Sequence, residues 1–210
     1  MVWCVSRSFF CLDMIVIMND HQLARQEVVC GYSVMEQTVI YIHYGADKYF
    51  AEYFIPIRNG GIMGKPRDNT GLWASRFDSN YGWKEWCEEN NFNLHKLRKS
   101  FSFSLAKSAN TLLVSHPKEL EKLPLIKPYH YVEKNWDLGE HPTAQQIEEF
   151  MAPGECAMLD YERMSANGID AIEIEYNYLF RDALPTWDCS SIFIMNPNII
   201  VPLKRRQDIV

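Results

Sequence analysis

Six residues of strict alternation, Ser100-Phe101-Ser102-Phe103-Ser104-Leu105, constrain the fold of this chain more than any other stretch. Successive side chains of a strand point to opposite faces, so this run predicts a strand with one apolar and one polar face. Such a strand needs partners, and the chain supplies them. Thr38-Val39-Ile40-Tyr41-Ile42-His43-Tyr44 is rich in β-branched and aromatic residues and ends at Gly45, which reads as a buried strand. Gly71 to Ser75, Thr111 to Val114, Cys156 to Asp160, Ile169 to Tyr176 and Ser191 to Met195 read as further strands, the last stopped by Asn196-Pro197.

Helical patterns fall between the strands at irregular intervals. A short one lies around Phe50–Phe54 and is stopped by Pro56. A second, capped by Ser79, runs through Trp83, Trp86 and Cys87 to Glu89. A third opens at His116-Pro117 and reaches Leu123. A fourth, Thr143 to Phe150, carries a Thr143…Gln146 capping box. A fifth, Tyr161 to Asn167, is closed by Gly168. Regular βαβ alternation is missing, so the pattern predicts an α+β domain with a mixed or antiparallel sheet flanked by helices.

The length of 210 residues suits one domain, with or without an appendage. The stretch up to Val34 has no clear period, so we expect an N-terminal appendage over 1–34 and a single domain over 35–210. The apolar stretch Ser8 to Met18 is interrupted by Asp13 and is too short to span a bilayer, so no membrane partner is expected. The formal charge is −6, and all of it falls in the second half. Residues 1–105 hold 11 basic and 11 acidic residues, while 106–210 hold 10 and 16. No basic surplus is available to hold phosphates, which argues against nucleic acid as a partner. The basic clusters His95 to Lys99 and Lys204 to Arg206 are short and read as solvated surface. The 6 cysteines show no C-x-x-C and no cysteine–histidine cluster, so we expect reduced thiols, a cytoplasmic location and no metal site.

Neither the dinucleotide nor the P-loop glycine motif occurs, nor H-E-x-x-H, nor the serine-hydrolase elbow. Two constellations carry chemistry instead. One is His43-Tyr44-Gly45 at a strand end, with Gly71-Leu72-Trp73-Ala74-Ser75 following and then a helix region bearing Tyr81, Trp83 and Trp86. A histidine there can bond a sugar hydroxyl, a glycine lets a flat amide approach the backbone, and the rings offer a stacking face. The alternative is a satisfied histidine packed by core tryptophans. The other constellation is Glu173 and Glu175, placed by period two on the face opposite Ile172 and Ile174. On a cleft, such a carboxylate stabilises charge developing on a sugar carbon; on an exposed face it is solvated surface.

The order of these features resembles the ADP-ribosyltransferase superfamily, on the branch shared with poly(ADP-ribose) polymerases. Ile42-His43-Tyr44-Gly45 stands for its His-Gly strand end, Gly71 to Ser75 for its glycine–aromatic strand, and Glu173 or Glu175 for its catalytic acid. Gly168 to Ile172 and Ile192 to Pro197 are similar to the ending of small bacterial and phage members. The likeness spans about residues 38–202. Tyr44 intervenes between histidine and glycine, Trp73 stands where the family has tyrosine, and Ser190 and Ser191 stand where it has a glutamate.

The resemblance implies a split sheet and NAD as substrate. His43 would hold a ribose hydroxyl and Gly45 the nicotinamide amide. Gly71, Trp73, Ser75, Tyr81 and Trp83 would line the site. Glu173, then Glu175, then Asp188 is the order of candidates for the acid, and a protein is the expected acceptor. Two rivals stand beside this reading. One is a thiol hydrolase using Cys87, Cys156 or Cys189. The other is an interaction module whose surface holds Trp136, Trp187 and Tyr129-His130-Tyr131, which binds without catalysis.

Overall fold

The computed structural model describes residues 38–60, 65–133, 142–151 and 155–203. All of them belong to one unit, Gln37–Val210. The expected appendage over 1–34 and Trp136 lie outside the described residues.

Seven strands form one mixed sheet: β1 (Tyr41–Tyr44), β2 (Leu72–Arg76), β3 (Ser100–Leu105), β4 (Thr111–Val114), β5 (Ala171–Ile174), β6 (Ser191–Ile194) and β7 (Ile200–Pro202). Their order across the sheet is β4-β5-β6-β2-β1-β3-β7. Every neighbouring pair is antiparallel except β4 and β5. Among the described residues, four α-helices accompany the sheet: α1 (Trp83–Glu89), α2 (Ala144–Met151), α3 (Tyr161–Ala166) and α4 (Phe180–Ala183). The α+β class with a mixed sheet is therefore what the alternating runs predicted.

The strand Ser100 to Leu105 has the predicted bounds, and its phenylalanines are buried. Other elements differ from expectation. The first strand begins at Tyr41 rather than Thr38. The segments at Phe50–Phe54 and His116–Leu123 are 3-10 turns, Ala51–Tyr53 and Pro117–Lys122. Cys156 to Asp160 is not a strand; it makes a single bridge, Leu125 to Leu159. Its Ala157 and Leu159 are core residues of a loop, which periodicity alone cannot tell from a strand. Helix α4 and strand β7 carried no readable pattern, being 4 and 3 residues long.

Helix α1 starts at Trp83, three residues later than a cap at Ser79 implied. Gly82 is its N-cap residue, and Ser75 Oγ of β2 accepts the Trp83 N–H at 2.9 Å. The cap is thus supplied from a strand, across space, by a serine eight positions earlier. Thr143 and Gln146 form the predicted capping box on α2.

Each face of the sheet buries its own cluster. Ile172, Ile174, Phe193 and Val114 pack on one face with Tyr161, Met164, Phe180 and Trp187 from the helices and loops. Tyr41, Ala74, Phe101, Phe103, Ala171, Ile192 and Ile194 pack on the other. Fully burying a side chain such as Phe193 contributes roughly 2 kcal/mol. Gly71, at φ +65°, lies where a Cβ would come within 2.4 Å of the Phe193 ring. Only glycine combines that backbone conformation with that approach.

Candidate functional site

The first half of β2 pairs with β6, through Leu72, Trp73 and Ala74. Its second half pairs with β1, and that ladder is two registers long: Tyr41 with Arg76 and Ile42 with Ser75. Beyond Ile42 the two strands part. His43 sits at the parting, and its Nδ1 lies 2.7 Å from the Trp73 carbonyl oxygen. A carbonyl only accepts, so Nδ1 carries the proton. Burial lowers the His43 pKa, so the ring is neutral near pH 7 and its Nε2 is an acceptor. No described residue bonds Nε2. The ring packs on Phe101, 5.1 Å away between centroids.

The structure brings His43 to the backbone of Trp73, not to its indole. The Trp73 ring belongs to the opposite face, at 4.6 Å from Trp187 and 4.7 Å from Phe193. Trp83 does not join it: it stacks on Trp86 at 5.1 Å, with Phe92 against both. Tyr81 Oη donates to Glu89, which pushes its pKa up to about 12. The rings expected around one nicotinamide thus form two groups, one in the core and one on α1. Ser75 is buried, its hydroxyl committed to the cap of α1. Gly45 has φ +107° and open space where a Cβ would be, but its N–H is bonded to Lys99 O at 2.8 Å. Only its carbonyl is left to face a flat amide.

Glu173 and Glu175 separate sharply. Glu175 lies past the end of β5 and is exposed. Glu173 is 6% exposed, on the same face as Ala171. The paired-carboxylate face does not exist, because both faces of β5 are covered. Register pairs place Glu173 beside Ile192, and Ile192 beside Ala74, the residue next to the His43 parting. The Glu173 carboxylate accepts from Arg76 Nε and Nη2, the latter at 3.1 Å, and from the Tyr41 hydroxyl at 2.9 Å. Burial first, and then the Glu173 charge, raise the Tyr41 pKa well above its ordinary value. Hydrogen bonding to Glu173 raises that of Arg76. Arg76 and Tyr41 were missed as site residues. A cation ending the Gly71–Ser75 strand was the one signal, and the chain distances to Glu173, 97 and 132 residues, hid the partnership.

Asp188 is exposed, with its pKa raised by partial burial. Cys189 is buried and its thiol is pushed up to about 12; burial also raises Cys87. Neither is an activated nucleophile. Trp187 and Tyr129 are buried, so they belong to the core rather than to an interaction surface. Among the described residues no group of His, Cys, Asp and Glu is placed to hold a metal ion. No described helix is long and apolar enough to cross a membrane. No family model, curated protein or solved structure matches the chain.

Proposed function

We propose that this chain is an ADP-ribosyltransferase-like domain that takes NAD as substrate at the parting of β1 and β2 and transfers ADP-ribose to a protein acceptor. The observation that carries the reading is the pinned, neutral His43, whose Nε2 is an acceptor that no described residue bonds, where the ladder stops. A ribose hydroxyl is a fitting donor to it. In the transfer, the bond from the ribose carbon to the nicotinamide nitrogen breaks and its electron pair leaves with nicotinamide. The ribose carbon gains positive charge, and the acceptor's lone pair forms the new bond while its proton passes to solvent. Glu173, whose carboxylate reaches Tyr41 and Arg76 two residues along β1 and β2 from the parting, is the acid assigned in this reading to stabilise that charge.

Titration with NAD, followed by tryptophan fluorescence and melting temperature, tests binding; nicotinamide release tests transfer. We expect NAD to quench fluorescence and raise the melting temperature, and His43→Ala to lose both effects. No response at millimolar NAD sinks the reading. A second reading, NAD binding without transfer, is favoured by one observation: both Glu173 oxygens are already engaged by Arg76 and Tyr41. Stabilisation by NAD with no nicotinamide release selects it.

A further inference from the structure

A cleft lies over the β1–β3–β7 side of the sheet, with Phe101, the ring on which His43 packs, in its lining. Its volume is about 520 Å³, within the range of small-molecule sites. Ile40, Phe77 and Leu203 give it an apolar wall, and Arg98 and Ser102 face it from the 3-10 turn Leu94–Arg98 and from β3. The three apolar residues are 38%, 69% and 40% exposed. Large apolar side chains gathered on one concave surface leave apolar area in water that a ligand can cover.

The charge in the cleft is resolved by pairing. Asp47, also on its lining, is ion-paired with Lys99 at 3.6 Å. Arg98 has no ion-pair or hydrogen-bond partner among the described residues. Its guanidinium is a planar fork suited to a carboxylate or a phosphate and able to lie on an aromatic ring. The volume holds one ring system with its charged group.

We propose that this cleft binds a small aromatic anion, with its ring against Phe77 and its carboxylate or phosphate on Arg98. The inference stands apart from the NAD reading in its binding residues, since neither Arg98 nor Phe77 is assigned to the NAD site.

The test is calorimetric titration of the full chain with phenyl phosphate and with benzoate, which separate the two anions, and with phenol, which lacks a full charge. Either anion should bind, with phenol at least about tenfold weaker. Arg98→Gln and Phe77→Ser should each weaken the bound anion about tenfold or more. Both residues are exposed, so the variants should melt with the unsubstituted chain. If a variant loses its fold, amide-shift mapping on the unsubstituted chain decides, through shifts at Ser102 and Leu203. The proposal is overturned if neither anion binds at about 10 mM. It is equally overturned if affinity survives both substitutions, or if the shifts map elsewhere.

Discussion

At Glu173 a carboxylate is taken out of water and held by three donors from two other strands. Breaking such a group by removing one charge leaves the other uncompensated. Glu173→Gln should lower unfolding free energy by about 2 kcal/mol, less than for a fully buried pair because Arg76 stays partly in water. Urea midpoints measure it, and Tyr41→Phe should cost about 1 kcal/mol on the same scale. His43 carries a pH prediction. Burial disfavours its charged form, so the unfolded chain binds a proton more readily than the folded one. Stability should therefore fall as pH drops below the ordinary value of 6.5, and do so less in His43→Gln. Chemical denaturation from about pH 7.5 to about pH 5.5 shows whether the two curves converge. The place of His43 near a strand end, two residues before Gly45, was legible in the sequence. The partnership of Arg76 with Glu173 was not, because burial and cross-sheet pairing are properties of the folded sheet rather than of neighbours in sequence.

Among the elements, legibility followed local chemistry. The strand Ser100–Leu105 and the cap of α2 depend on residues within five positions of one another, and both were read with correct chemistry. The start of α1 depends on Ser75, a strand residue, and was placed at Ser79 instead. Ser75→Ala leaves the Trp83 N–H without that acceptor and should cost about 1 kcal/mol. Thermal unfolding measures the loss, while exchange protection at the first turn of α1 should drop more than elsewhere. An unchanged α1 would mean that the Gly82 cap suffices alone. The stretch Cys156–Asp160 failed differently. Its Ala157 and Leu159 are buried, but its backbone has one bridge partner and so never becomes a strand.

For the whole molecule, β2 is the one strand that joins β4-β5-β6 to β1-β3-β7. It does so through three register pairs on one side and two on the other. The shorter ladder should be the first to open, so amides of β1 facing β2 should exchange faster than those of β5 facing β6. Hydrogen exchange read by mass spectrometry checks this, and uniform protection across the sheet would contradict it. Side chains reinforce the short ladder unequally at its two ends. Glu173 on β5 reaches past β6 to Arg76 on β2 and Tyr41 on β1, a stitch across the join. At the other end, the described hydrogen bonding across the join is His43 to Trp73. The sheet is thus built like a book sewn near one end of its spine. Its two leaves can be eased apart from the His43 end by giving up one hydrogen bond, while the sewn end keeps them in register.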